Sequence, residues 1–438
     1  MSHSQAYLIV LAVAAVVTPT SFAQQPPDPN YVRQQVFDSY DDFKTELDRV
    51  ANLPDATQRT EEVNLFWQQL SQAGQIPYAQ GDRVAFLYRG AGSVAWPGDA
   101  NGWNPNAPGW QGTPVGQSDI QIVERQLPAD ARVDYKVFRN GAWILDPANP
   151  LQMWSGFGPN SELRMPDYEY PHETIVHAHV DRGSLSANKL ISSSHLGYDA
   201  HYRVYTPANY DSLDGPVPTV YFTDGHEYSA SHMGSATEVM DNLISEGKLQ
   251  PMVAVFIDPR DPATGQNRRA SEYITNREFA RFVADELVPT VESSYTVEQD
   301  AAARTIIGTS LGGLNSAYFG AVEHDTFRNL GIQSPAFWPA PELSAMYADG
   351  ALADDVRIFM STGTINDEGG ATNFSNLLQA GGYDFRFTTV NEGHSWGSWR
   401  GNLDEILVHL VGPAVPEPRG VALLLSSGLF LGWRRRRC

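Results

Sequence analysis

The sequence predicts an α/β protein: a mostly parallel sheet covered on both faces by helices, with a small β-rich domain in front of it. Three observations carry that reading. From about Ala187, short apolar runs alternate with amphipathic segments, the pattern of strands joined by crossover helices. One such run, Thr305-Ile306-Ile307, passes through Gly308-Thr309-Ser310-Leu311-Gly312 into a helix-like segment ending near His324. Between Gly81 and Met165 the runs are short and separated by Gly, Pro and Asn turns.

In chain order, residues 1–23 read as a secretory signal. Ala6 to Val17 is uncharged and mostly apolar, and Ser21 and Ala23 put small residues where a signal peptidase inspects them. The run is too short to span a bilayer as a helix, which takes about 20 residues. Residues 24–79 are expected to be helical, because Phe43, Leu47, Val50 and Leu53, then Val63, Phe66, Trp67 and Leu70, recur at near-helical spacing. Residues 80–165 form the β-rich domain, with strands at Val84 to Tyr88 and Val133 to Phe138. A linker, 166–186, opens at Pro166 to Pro171. The α/β domain, 187–412, has expected strands at Tyr202 to Tyr205, Thr219 to Phe222, Met252 to Ile257, Thr305 to Ile307, Arg357 to Ser361 and Phe385 to Val390, with helices at Arg277 to Tyr295 and Leu311 to His324. Residues 413–438 hold Val415-Pro416-Glu417-Pro418, an apolar run from Gly420 to Trp433, and four arginines.

Composition narrows the chemistry. The formal net charge is −21, and Lys and Arg cluster only at Arg434 to Arg437, so nucleic acid is not the expected partner. Cys438 is the single cysteine, which removes a disulfide framework and any Cys-based zinc site. No HExxH, P-loop or dinucleotide fingerprint occurs, and His177-Ala178-His179 lacks an evident third ligand, so neither metal nor cofactor is expected.

The Gly308 to Gly312 segment has the strand–turn–helix context in which a serine is lifted above a sheet. Glycines two residues to either side remove side chains that would clash in so strained a turn. Leu311 N–H then lies at a helix N-terminus, where it can face a developing oxyanion. Gly393-His394-Ser395-Trp396-Gly397 has the same spacing, but His and Trp crowd the turn. The acid and histidine downstream of Ser395, Asp404 and His409, lie five apart on one expected helix, about 140° apart around it. Ser310 is therefore the expected nucleophile. Asp367 and His394 each follow a strand of the same sheet, in the order Ser, acid, His, with His394 as base and Asp367 fixing its tautomer. Glu368 is the alternative acid. The second oxyanion donor is expected in Thr223-Asp224-Gly225-His226-Glu227, at His226. Trp338 and Trp396 are expected to shape a substrate pocket. Trp96, Trp103, Trp110 and Trp143 could stack sugars, although packing is the commoner use of such residues.

Several spaced blocks in this chain resemble the esterase D group of α/β-hydrolases, which includes enterochelin-esterase-like and feruloyl-esterase-like proteins. They are Val204-Tyr205-Thr206-Pro207, Tyr221 to Gly225, Arg269 to Tyr273, Glu286 to Pro289, Gly308 to Gly313, and Gly393 to Trp396 with Trp399-Arg400. The resemblance implies an α/β-hydrolase fold and a metal-independent serine esterase with Ser310, Asp367 and His394 as its triad. Gly98 to Trp103, Val133 to Val137, Asn140 to Trp143 and Asp146 to Pro150 resemble the early-set β-sandwich that precedes enterochelin-type esterases. The C-terminal segment resembles a PEP-CTERM sorting tail, which implies export machinery and an exosortase-like enzyme as partners, and a secreted or matrix-associated destination. The expected substrate is an acylated or feruloylated carbohydrate or a similar ester. The same triad could transfer an acyl group to a sugar, and a silent carbohydrate-binding protein is the reading from another class.

Overall fold

Two helices open the described part of the chain because each has a capping side chain and one apolar stripe. In Tyr40–Ala51, Ser39 Oγ accepts from Asp42 N–H, and in Ala56–Gln72, Asp55 accepts from Gln58 N–H. The computed structural model describes residues 28–353 and 355–412; the signal and tail readings fall outside those residues. Phe43, Leu47, Val63, Phe66 and Leu70 pack on Ala85, Leu87, Ile120 and Ile122. The strand Arg83–Arg89 turns its alternate residues, Val84, Phe86 and Tyr88, into a second cluster with Trp96, Val133, Tyr135 and Leu163. The helical segment and the β-rich segment therefore share one strand as a common wall.

The β-rich part holds three small antiparallel sheets. The expected single strand Val133 to Phe138 is two, Arg132–Tyr135 and Val137–Arg139, in different sheets. The break is at Lys136, whose ammonium donates to Pro159 O (2.7 Å) and Asn160 Oδ1 (2.6 Å) and whose N–H donates to Pro97 O.

The larger sheet runs in the order Ser184–Leu185, Asp199–Thr206, Val253–Asp258, Thr219–Phe222, Arg304–Thr309, Asn329–Gln333, Arg357–Gly363, Asp384–Val390. Asp199–Thr206 is antiparallel to Val253–Asp258, and every later pairing is parallel. Alternate residues of each strand bury opposite faces. Val253, Val255 and Ile257 meet Phe279, Val283 and Leu287, while Ala254 and Phe256 meet Val239, Met240 and Leu243. Asn329–Gln333 was not foreseen, because its polar ends and central glycine disguise a buried strand. The expected helix Arg277 to Tyr295 contains a π-helical stretch, Phe282–Leu287, just ahead of Pro289, whose ring and missing N–H disturb a regular turn.

Candidate active site

Ser310 ends the strand Arg304–Thr309 and precedes the helix Leu311–Val322. Its backbone has φ 57° and ψ −116°, a conformation that L-residues rarely hold. The turn is over-determined. A Cβ on Gly308 would lie 2.3 Å from Gly312 O, and one on Gly312 would lie 2.5 Å from Thr223 Oγ1. Ser310 N–H donates to Gln333 O (2.9 Å), and Ser310 O accepts from Ala336 N–H (3.0 Å).

Asp367 and His394 meet in the structure. His394 Nδ1 lies 2.8 Å from Asp367 Oδ1. Asp367 Oδ2 faces Thr362 Oγ1 at 3.2 Å and Gly363 N–H at 3.3 Å. Burial opposes ionisation of Asp367, but hydrogen bonds from His394, Ser334 and Gly363 outweigh it and hold the carboxyl below its ordinary pKa. Ser334 also joins this carboxylate to the serine turn, since it directly follows Gln333. The His394 ring stands edge-on to Trp399, with centroids 4.9 Å apart, and remains 40% exposed. Ser310, Asp367 and His394 thus follow the C-terminal ends of three parallel strands at one sheet edge. Ser310 Oγ and His394 are not hydrogen-bonded to each other here; such contacts often tighten only when substrate is bound. Glu368 begins the helix Glu368–Gly381.

Leu311 N–H and His226 N–H have no acceptor among the described residues. His226 lies in the short helix Gly225–Tyr228, after Asp224 in the left-handed region (φ 52°). A Cβ on Gly225 would meet the Phe256 backbone at 2.3 Å, so the loop lies flat on the neighbouring strand. Burial holds the His226 imidazole below its ordinary pKa, against the pull of Asp258.

The brace behind this loop was missed from sequence. Arg269 Nε bridges both oxygens of buried Asp224, at 2.9 and 2.8 Å, and its Nη2 donates to Thr309 O at 3.0 Å. Tyr273 OH accepts Asp224 N–H at 2.8 Å. Arg269 to Tyr273 enters the sequence reading only as one block of a resemblance; nothing local says that its arginine reaches two loops at once.

Trp338 is 72% exposed on the loop after Ala336, beside the serine turn. Trp396 does not face substrate. It is 2% exposed, packs on Tyr228 and Trp399, and donates Nε1–H to Glu227 Oε2 (3.0 Å), because it starts a helix that turns inward. Ser395 is buried in extended backbone (φ −150°), and its Oγ accepts from Arg132 Nη1 at 2.7 Å. The second glycine-flanked serine is therefore a cap and not a strained turn. Trp96 is fully buried against Phe86, Trp110 packs on Phe86 beneath Arg125, and Trp103 donates to Asp99, whereas Trp143 is 44% exposed. His177 and His179 sit in a turn with ring centroids 5.7 Å apart, and among the described residues no third potential ligand joins them. A cavity of about 810 Å³ opens at Thr305, Asn329 and Arg357, the sheet edge opposite Ser310, and so lies outside this chemistry.

Strand order, a strained serine turn and an acid–histidine pair at one sheet edge define an α/β-hydrolase-type protein. Residues 193–410 match the model of the family described as "Putative esterase". With relatives named as esterases, this match makes the protein an esterase. The iron(III) enterobactin esterase of Escherichia coli (strain K12) is 25% identical over 365 residues, covering 78% of this chain and 85% of that one. The endo-1,4-beta-xylanase/feruloyl esterase of Xylanibacter ruminicola is 26% identical over 218 residues, 46% of this chain but only 28% of that longer protein. The solved enterobactin esterase of Shigella flexneri superposes with TM-score 0.62 at 22% identity, over 75% of this chain and 92% of that one, a likeness of fold.

Proposed function

We propose that the protein is an exported serine carboxylic-ester hydrolase that works through an acyl-enzyme. The observation that carries this reading is the strained Ser310 turn at the same sheet edge as the Asp367–His394 pair. His394 Nε2 takes the proton of Ser310 Oγ as that oxygen attacks the ester carbonyl. The tetrahedral oxyanion is met by Leu311 N–H and His226 N–H. Collapse breaks the carbonyl–alkoxy bond, and His394 returns the proton to the leaving alcohol. Water then attacks acyl-Ser310, gives its proton to His394, and the acid leaves as Ser310 recovers its hydrogen. Asp367 stays ionised throughout and holds the Nδ1–H tautomer.

The named relatives include enzymes on enterobactin and on feruloyl esters, which supports acylated or feruloylated carbohydrate, or a similar ester, as the substrate class here. Export rests on the sequence patterns at 1–23 and 413–438. The test pairs short p-nitrophenyl esters with a fluorophosphonate probe. Wild type should hydrolyse the esters and carry the label on Ser310, and Ser310→Ala should lose at least ~10⁴-fold in kcat. Label on Ser395, or an active Ser310→Ala, would overturn the assignment.

A further inference from the structure

The strongest polar cluster outside the site lies behind it, where the β-rich part meets the histidine loop. Arg132 belongs to the strand Arg132–Tyr135 and is fully buried. Each guanidinium nitrogen has a partner: Nε donates to Glu162 Oε1 (2.8 Å), Nη2 to Asp134, and Nη1 to Ser395 Oγ (2.7 Å). Its backbone N–H donates to Asn391 O (3.1 Å), and Asn391 Nδ2 donates to Asp130 Oδ1 (2.8 Å). Buried Glu392 lies 4.0 Å from Nη1. These contacts grip Asn391, Glu392 and Ser395, the residues that bracket His394.

The fit is tight on both sides. A Cβ on Gly393 would lie 2.3 Å from Asp99 Cβ and Cγ, and one on Gly397 would lie 1.9 Å from Arg132 Cζ. Both glycines of the second Gly-x-Ser-x-Gly pattern are thus explained by close approach of the β-rich part, whatever their spacing resembles. Downstream, Ser395 O accepts Trp399 N–H (3.1 Å) and so starts the helix that places the Trp399 ring against His394.

We infer that Arg132 is a positioning residue for His394, acting from the β-rich part through Ser395. The arginine fits the task because one planar fork can hold two carboxylates of its own domain and a hydroxyl of the other in one plane. The β-rich part is then a component of the catalytic machinery, and the orientation of the imidazole is set across the domain boundary. This inference rests on the reading of His394 as the base.

The test uses the full chain with Ser395→Ala, Ser395→Thr and Arg132→Lys. Ser395→Ala removes one hydrogen bond and should lower kcat about ten- to a hundredfold at unchanged KM, the cost of a misplaced catalytic group. Ser395→Thr keeps a hydroxyl for Nη1 and should retain kcat. Arg132→Lys cannot hold three partners and should lower kcat at least as far; where it fails to fold, Ser395→Ala decides alone. The rate of fluorophosphonate labelling at Ser310 should fall in step with kcat. A folded Ser395→Ala with the wild-type kcat, or with a loss confined to KM, overturns the inference. A wild type that takes no label on Ser310 overturns the esterase mechanism instead, so the two failures are distinct.

Discussion

At the residue scale the site depends on strain held in place by absent side chains. Gly308 sits where a methyl group would overlap Gly312 O and Thr223 Oγ1, at 2.3 and 2.4 Å. Gly308→Ala must push the oxyanion loop and the serine turn apart. It should cost about 1–3 kcal/mol of stability, the usual range for overpacking, and also abolish turnover; urea melts beside ester hydrolysis measure both. A variant with normal kcat would show that the turn relaxes freely. Asp367→Asn keeps the shape but offers His394 an amide, which no longer selects the Nδ1–H tautomer. A fall of roughly 10⁴ in kcat with little change in KM is expected. Because Asp367 is held below its ordinary pKa, its charge survives through the weakly acidic range. The positions of both residues were readable in the motif spacing. The failure of Trp396 as a pocket residue was not, because only the turn of its helix toward Tyr228 buries it.

At the scale of elements, two loops are tied together by Arg269. It joins the loop after Thr219–Phe222, through Asp224, to the end of Arg304–Thr309, through Thr309 O. Arg269→Met leaves Asp224, which is 1% exposed, with an unpaired charge. Breaking a buried pair costs about 3–5 kcal/mol, and roughly 3 is expected here because a quarter of the Arg269 side chain stays accessible. Asp224→Asn in the same chain should recover part of the loss, measured as a double-mutant cycle; strict additivity would deny the coupling. The strand Asn329–Gln333 carries the same lesson about legibility. Asn329 Nδ2 donates to Ala302 O (2.7 Å), Tyr228 OH donates to Gln333 Oε1 (2.6 Å), and a Cβ on Gly331 would meet Ile307 at 2.8 Å. Its polar ends are satisfied by neighbours remote in sequence, so its local pattern does not read as a buried strand. Thr219–Phe222 is buried throughout, and its limits in the structure are those the sequence predicts.

At the scale of the molecule, many carboxyls are buried. Burial pushes Asp99, Glu227, Glu272 and Glu392 up to about 7, and Asp146 and Asp404 up to about 6. An unfolded chain releases these protons near pH 4, so between about pH 4.5 and 7 the native state binds more protons and stability falls as pH rises. Glu162 runs the other way: burial opposes its ionisation, but Arg132 and Arg164 hold it down at about 2, so its contribution is lost only as pH falls toward that value. The melting temperature should therefore peak near pH 4.5 and decline toward pH 8. A profile that is flat or rises over that range contradicts the assignment, and Glu392→Gln should make the decline shallower.

The sequence by itself determined the alternation of strand and helix, the glycine-flanked serine, and the order in which serine, acid and histidine follow their strands, because these depend on near neighbours and on strand periodicity. Only the tertiary structure decided which of two similar motifs is strained, which tryptophans are buried, and that Arg132 grips the histidine loop from 263 residues away. Those outcomes depend on which side chains share a volume once the β-rich part and the sheet are packed together, and no local pattern records that.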